Sequence, residues 1–145
     1  MPIHKLTDSL YIAPQLTEAD VQEAVRLGIQ TVICNRPDGE EEGQPSFETV
    51  KEWLHQYGIE HVVYMPMVME HINDADLQHF QETVAKSPAP ILAYCRTGTR
   101  SAMMWALNQA KRGVEVNSLI RAADLAGINL EPHRERLNAV YQKCG

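Results

Sequence analysis

The chain has 145 residues, enough for one domain with a substantial core, and its 44% apolar and 22% charged residues are typical of a globular protein. The formal net charge of −6 and the lack of a concentrated basic run argue against nucleic acid as a partner. No apolar run approaches about 18 residues, and the N-terminus lacks an apolar signal core, so we expect a cytoplasmic chain that does not bind a membrane.

The cysteine and histidine content limits the expected cofactors. Cys34, Cys95 and Cys144 form no Cys-x-x-Cys pair, which argues against a disulfide framework and against a zinc ribbon. The histidine spacings do not indicate a metal site either. We therefore expect no metal and no other cofactor. Free thiols are typical of the reducing cytoplasm, and Cys144, next to the C-terminus, is expected to be incidental.

The first part of the chain alternates short β-prone runs with an amphipathic helical pattern. Leu10–Ala13 is predicted to be an edge strand. The helix that follows is predicted to begin after Thr17, as N-cap, with Asp20 at the capping-box position, and to end at Gly28. The compact β-branched run Thr31–Cys34 is predicted to be a buried strand.

A polar loop over residues 35–45 follows that strand, at the edge where open α/β sheets place their functional groups. Ser46 is predicted to cap the next helix. Val62–Met65 is predicted to be a further strand, and Asn73 or Asp74 to cap the helix after it.

The last part begins with the predicted strand Ile91–Tyr94 and a short polar loop. Helices are predicted from about Ser101 to Arg112, over Val116–Ala126 and over Arg134–Lys143. Alternating strands and helices that end in a helical segment indicate an α/β fold. We expect a mostly parallel sheet of four to five strands, flanked by helices on both faces.

Cys95 stands where the strand Ile91–Tyr94 ends, and we interpret it as a nucleophile. A packed core thiol is the usual role of a cysteine taken at random. Here four residues separate Cys95 from Arg100, whose charge is positive, and Gly98 allows close backbone approach. A helix near Ser101 would direct its free N–H groups at the loop, and such surroundings favour a thiolate.

The run Cys95-Arg96-Thr97-Gly98-Thr99-Arg100-Ser101 resembles the active loop of rhodanese-type sulfurtransferases and the phosphate loop of cysteine-dependent protein tyrosine and dual-specificity phosphatases. From Leu10 to about Gly113 the chain resembles a bacterial phosphatase-like domain family that is found fused to β-lactamase-like hydrolases. The match includes the loop Asn35–Glu40 and also Ala102 and Trp105. The resemblance implies a dual-specificity-phosphatase-like α/β fold and one phosphatase-like catalytic domain over residues 1–145.

Three departures from the phosphatase pattern bear on the reaction. Four residues lie between Cys95 and Arg100, as in rhodaneses, where the phosphatase signature has five. Tyr94 stands where phosphatases usually carry His. The segment 64–70 lacks the Asp that would protonate a leaving oxygen, and Glu70 is the nearest carboxylate that could substitute.

These departures favour a sulfurtransferase, in which the Cys95 thiolate takes a sulfane sulfur and carries it as a persulfide between small anionic donors and acceptors. The alternative is a phosphatase for a phosphorylated substrate, in which Cys95 attacks phosphorus, Arg100 clamps two oxygens and Ser101 assists breakdown of the intermediate. A non-catalytic anion-binding module is a third possibility. In each case the predicted anion-binding residues are Arg96, Thr97, Gly98, Thr99 and Ser101.

The loop after Thr31–Cys34 should face the Cys95 loop if the two strands are parallel. Arg36 could then add charge to an anion pocket, and Asp38 or Glu40 could orient an arginine, although ordinary turn chemistry is an equal alternative. The run Glu40–Glu42 is predicted to be solvated.

Cys34 has two possible roles. It could resolve a persulfide on Cys95 or form a protective disulfide with it, which requires Cα atoms within about 7 Å. A buried strand thiol is the alternative that we favour.

Overall fold

Strands and helices alternate along the computed structural model, which describes residues 2–143. The strands are β1 (His4–Lys5), β2 (Leu10–Ala13), β3 (Thr31–Cys34), β4 (His61–Tyr64) and β5 (Ile91–Tyr94). The α-helices are α1 (Glu18–Arg26), α2 (Phe47–Gln56), α3 (Asp74–Lys86), α4 (Thr99–Lys111), α5 (Val116–Leu125) and α6 (Arg134–Lys143). Short 3₁₀ helices cover Met69–His71 and Glu131–His133.

The strands form one sheet in the order β1-β2-β5-β3-β4. β2, β5, β3 and β4 run parallel, and β1 alone is antiparallel to its neighbour. This confirms the predicted mostly parallel α/β sheet. The prediction that Leu10–Ala13 is an edge strand is wrong, because β1 pairs with its outer side and places His4 opposite Ile12. Two residues are too few to produce a recognisable strand pattern.

Helices cover both faces of the sheet. Since side chains alternate along a strand, β5 sends Ile91 and Ala93 into one core and Leu92 and Tyr94 into the other. The first core is closed by α3, α4, α5 and α6, and the second by α1 and α2. The continuous apolar run of β5 therefore reflects a strand that is buried on both sides.

Local capping signals are confirmed where the sequence predicted them. Thr17 and Asp20 exchange both hydrogen bonds of a capping box at the start of α1. Ser46 accepts a hydrogen bond from the Thr49 N–H at the start of α2. Asn73 rather than Asp74 caps α3.

The helix after Cys95 begins earlier than the sequence predicts, at Thr99 instead of Ser101. Gly98 is its N-cap, in the left-handed conformation at φ +93°. A Cβ at this position would lie 3.0 Å from Ile128 Cδ1, so both the conformation and the space favour glycine. Arg100 consequently belongs to the first turn of α4.

None of the helices in residues 2–143 is both long and apolar enough to cross a membrane. The assignment of one catalytic domain to residues 1–145 stays a prediction. Cys144, which was expected to be incidental, lies outside the described residues.

We expect Leu92→Ala to lower the free energy of unfolding by about 2–5 kcal/mol, because Leu92 is fully buried in the central strand and its loss leaves a cavity. The matched control is Leu125→Ala on α5, where the side chain is 83% exposed, and its effect should stay within about 0.5 kcal/mol. Urea unfolding followed by circular dichroism measures both. Equal losses for the two variants would contradict the assignment of β5 to the centre of the sheet.

Candidate active site

The two loops that carry the predicted site residues leave the sheet side by side. β3 and β5 are parallel neighbours, with Cys34 opposite Tyr94. The residue that follows β3, Asn35, donates its backbone N–H to the Tyr94 carbonyl at 2.8 Å. Residues 35–45 and 95–98 therefore meet at the carboxyl edge of the sheet, where open α/β sheets bind their ligands.

Cys95 lies at the bottom of this region and is fully buried. The backbone N–H of Gly98 donates to Cys95 Sγ at 3.1 Å. The loop is also tied to the end of β2, because Cys95 donates its N–H to the Ala13 carbonyl and Gln15 donates its N–H to the Arg96 carbonyl. The sulfur is thus held in a fixed position by backbone groups.

Arg100 is held beside Cys95 by three hydrogen bonds. It donates from Nη1 and Nη2 to the two carboxylate oxygens of Glu40, each at 2.8 Å, and from Nη1 to the Met67 carbonyl at 2.9 Å. The hydrogen bond with Glu40 raises the pKa of the Arg100 guanidinium, and Cys95 contributes to the same effect. A permanently charged guanidinium therefore lies next to the sulfur.

Arg36 is a second, buried cation at this edge. Its side chain is 2% exposed and donates to Glu40 at 2.9 Å, to Gln15 Oε1 at 3.0 Å and to Glu41 at 3.2 Å. Such a charge is tolerated away from water because each edge of the guanidinium has a partner. Arg100, and to a smaller extent Arg36, lowers the pKa of Glu40 to about 2, so this carboxylate is ionised at neutral pH.

The charged side chains of this region enclose a cavity of about 420 Å³. Its wall consists of Arg36, Glu40, Glu41, Arg96 and Arg100. The predicted site residues Arg36, Arg96 and Arg100 are thus brought together. Cys95 itself is fully buried and is not part of this wall.

Asp38 does not join the site, contrary to its predicted supporting role. Its carboxylate accepts the backbone N–H of Phe47 at 2.8 Å, at the start of α2. Glu40, given as the alternative partner of an arginine, takes that role. The run Glu40–Glu42 is exposed, as predicted, but Glu40 and Glu41 also form ion pairs with arginines, which the prediction of a merely solvated run did not include.

The hydroxyl groups of the loop do not line the cavity. Ser101 is buried and donates its hydroxyl to Asn35 Oδ1 at 2.9 Å. The hydroxyl that was expected to assist breakdown of the intermediate is therefore already engaged in a hydrogen bond. The hydroxyls of Thr97 and Thr99 lie 3.0 Å from each other, and Thr97 lines a different cavity of about 190 Å³. Glu70 is exposed in a 3₁₀ helix and is not part of the cavity wall.

Cys34 and Tyr94 lie below the site, in the core. Cys34 donates its thiol to the Arg36 carbonyl at 3.3 Å, and burial raises the pKa of this thiol to about 11. Burial also raises the pKa of the Tyr94 hydroxyl. Cys34 and Cys95 are both free thiols. This arrangement fits the buried strand thiol that the sequence favoured for Cys34.

Two residues that hold the site together were missed at the sequence level. Asn35 is fully buried and donates its amide to the Met65 carbonyl while it accepts from Ser101. Gln15 fixes Arg36. The signal that could have found them is a polar residue within two positions of the carboxyl end of a parallel strand.

Within residues 2–143, no group of three or more His, Cys, Asp or Glu side chains is placed to hold a metal ion. The cavity wall contains three arginines and two glutamates, and the buried Cys95 lies next to Arg100. This excess of positive charge suits the site to an anion.

Comparison with known proteins identifies the family. A family model described as "Beta-lactamase hydrolase-like protein, phosphatase-like domain" matches residues 2–112. The chain belongs to this family. Beta-lactamase hydrolase-like proteins of Xylella fastidiosa and Agrobacterium fabrum are 30% and 32% identical to it over 113 and 109 residues. These matches cover 78% and 75% of this chain and 26% and 25% of the relatives, so the chain spans about a quarter of their length.

Solved structures extend the comparison. A candidate phosphatase from Neisseria meningitidis superposes with a TM-score of 0.94 at 46% identity, over 97% of this chain and 99% of the other. TpbA of P. aeruginosa gives a TM-score of 0.68 at 18% identity, over 100% and 86%. The catalytic core of S. cerevisiae Siw14, a PP-IP phosphatase, gives 0.72 at 14%, over 97% and 85%. The last two show the fold alone.

These findings confirm the predicted phosphatase-like family and fold, and they support a cysteine-based site of phosphatase type. They favour the phosphatase alternative over the sulfurtransferase that the sequence departures favoured. The likeness of the loop to rhodaneses, and the sulfur chemistry drawn from it, stay predictions.

The Glu40–Arg100 pair predicts a pH-dependent contribution to stability. The pKa of Glu40 is lowered from 4.5 to about 2 in the folded chain. As pH falls, the unfolded chain therefore takes up a proton on this carboxylate before the folded chain does. The carboxylate therefore stabilises the fold above pH 4.5, and this contribution is lost as pH falls towards 2. We expect the difference in unfolding free energy between wild type and Glu40→Gln to shrink between pH 7 and pH 3 in urea unfolding.

Glu42→Gln is the matched control, since Glu42 is exposed and has no ion pair among the described residues. It should show no comparable change between pH 7 and pH 3. A Glu40→Gln difference that is the same at both pH values would contradict the pairing.

Proposed function

We propose that this chain is a cysteine-dependent phosphatase for a small anionic substrate. The observation that carries the proposal is the placement of Arg100, held by Glu40 at 2.8 Å and lying next to Cys95. A sulfur nucleophile beside a fixed guanidinium is suited to attack on a phosphoryl group, because the charge that develops on the phosphoryl oxygens has a preorganised partner.

The reaction divides into two displacements. In the first, the Cys95 thiolate forms a bond to phosphorus, the bond from phosphorus to the leaving oxygen breaks, and the leaving group keeps that electron pair. In the second, water attacks phosphorus, the S–P bond breaks, the thiolate is restored and a proton is released to solvent. The Gly98 N–H donates to the Cys95 sulfur and holds it in place for attack, and Arg100 binds the phosphoryl oxygens in both steps.

The site restricts the leaving group. Glu40 is ionised at neutral pH because its pKa is about 2, so it cannot protonate a departing oxygen. Glu41 accepts a hydrogen bond from Arg36, and Glu70 lies outside the cavity wall. The reaction that this site supports best is one whose leaving group departs as a stable anion.

We expect turnover of p-nitrophenyl phosphate, whose leaving group is a stable anion, to fall to background in Cys95→Ser. Arg100→Lys should lower kcat by about 10²–10³, since lysine cannot replace the fixed guanidinium. Cys34→Ser, a matched cysteine substitution below the site, should keep the activity. Steady-state kinetics measures all three, and turnover that survives in Cys95→Ser would overturn the proposal.

Sulfur transfer is a second candidate, favoured by the four-residue spacing from Cys95 to Arg100. A thiolate leaving group needs no acid, which also fits an ionised Glu40. If this reaction operates, mass spectrometry after incubation with thiosulfate should find one extra sulfur atom on Cys95, released by cyanide, and none on Cys34. Absence of the adduct, together with phosphatase turnover, would exclude it.

A further inference from the structure

Glu41 is bound between two arginines that come from different loops. Its Oε1 lies 3.2 Å from Arg36 Nη2, and its Oε2 lies 3.5 Å from Arg96 Nη2. Arg36 precedes Glu41 in the loop after β3, whereas Arg96 follows Cys95 in the loop after β5. One carboxylate thus occupies a clamp of two guanidinium groups.

The two arginines differ in how firmly they are held. Arg36 is 2% exposed and is fixed by Gln15 and Glu40, so its position is built into the fold. Arg96 is 61% exposed, and within the described residues Glu41 is the ion-pair partner of its side chain. The clamp therefore has one rigid side and one side that can adjust to a ligand.

Glu41 is the less firmly held of the two carboxylates in the cavity wall. Glu40 makes contacts of 2.8–2.9 Å with two arginines and is 29% exposed, whereas Glu41 makes contacts of 3.2 and 3.5 Å and is 54% exposed. Cys95 is fully buried and lies next to Arg100 of this wall, so a substrate must displace neighbouring side chains to reach the sulfur. Glu41 is the carboxylate that an incoming anion displaces most readily.

The clamp and the Arg100 site belong to the same cavity of about 420 Å³, and the side chains in its wall are all charged. An apolar or aromatic group would find little apolar surface there, because the lining is mostly polar, whereas a second anionic group would find two guanidinium groups once Glu41 has moved. The lining thus favours a compact, doubly anionic molecule over an aromatic phosphoester.

We propose that Arg36 and Arg96 form a second anion subsite, in which the Glu41 carboxylate takes the place of a substrate anion, and that the substrate is a small phosphoanhydride. This inference rests on the phosphatase proposal and names its substrate class. The phosphoryl group to be cleaved lies at Cys95 and Arg100, and the second phosphate replaces the Glu41 carboxylate in the clamp.

The chemistry of a phosphoanhydride fits the site. When Cys95 attacks the first phosphorus, the bridging P–O bond breaks and the second phosphate leaves with the electron pair. A second phosphate that carries an ester group or a proton leaves as a weakly basic dianion, since the second pKa of a phosphomonoester is about 6, so the ionised Glu40 need not supply a proton. Water then cleaves the S–P bond, and the overall change is hydrolysis of one anhydride bond.

Binding to the full chain carrying Cys95→Ser tests the subsite without turnover. The probes are inorganic phosphate and inorganic pyrophosphate, titrated by calorimetry at one ionic strength, because salt screens exposed charges. Arg96→Gln removes one side of the clamp, and Glu41→Gln removes the competing carboxylate. The matched charge controls are Arg112→Gln and Glu42→Gln. Arg112 is an exposed arginine at the C-cap of α4, and Glu42 is exposed next to Glu41.

We expect pyrophosphate to bind about tenfold more tightly than phosphate, the value of one additional charge-assisted contact. Arg96→Gln should remove most of that preference and leave phosphate binding within about twofold, while Glu41→Gln should strengthen pyrophosphate binding. Neither control should appreciably change the affinity for phosphate or the affinity for pyrophosphate. Equal binding of the two probes would overturn the subsite, and so would equal effects of Glu41→Gln and Glu42→Gln.

Failure of the subsite is separable from failure of the proposed activity. The chain could prefer pyrophosphate in a way that depends on Arg96 and yet not turn over p-nitrophenyl phosphate. That result would support the subsite and count against the phosphatase proposal. Turnover that requires Cys95, without any pyrophosphate preference, overturns the subsite alone.

Discussion

The ion pair between Glu40 and Arg100 is the interaction on which the site depends. It joins the loop after β3 to the first turn of α4, across 60 positions of sequence. Arg100 also binds the Met67 carbonyl in the segment after β4, so one guanidinium connects the ends of three parallel strands. Because the same carboxylate also accepts from the buried Arg36, a change at Glu40 would alter two cations at once.

A second network below this pair keeps the loops in register. Asn35 is buried at the end of β3, and its side chain connects the Met65 carbonyl to the Ser101 hydroxyl. Its backbone binds Tyr94 and Met67. Buried polar groups of this kind are costly unless each has a partner, and here the partners come from β5, from α4 and from the segment after β4. The network therefore fixes where the Cys95 loop lies relative to Glu40.

Sequence reasoning succeeded where the signal was local. Thr17, Ser46 and Asn73 cap the helices that follow them, and Ile91–Tyr94 is a strand, because caps and apolar periodicity act within a few residues. It failed for Asp38 and for the Ser101 hydroxyl, and it missed the ion pairs of Glu41. Each of those assignments depends on which side chain, distant in sequence, the residue contacts in the folded chain. For Asp38, the sequence fitted an ordinary turn as well as it fitted a functional role.

The sequence by itself determined an α/β chain with Cys95 at the end of an apolar run and Arg100 a few residues later. It could do so because the signals for a strand, a loop and a helix start depend on residues close together in sequence. Tertiary structure decided which charges meet. Placing β3 beside β5 brings Glu40 to Arg100 and Glu41 between Arg36 and Arg96, whereas Asp38, only two residues from Glu40, is turned towards α2. The physical reason is that an ion pair forms over a few ångströms between side chains far apart in sequence, and strand order together with the path of each loop sets that distance.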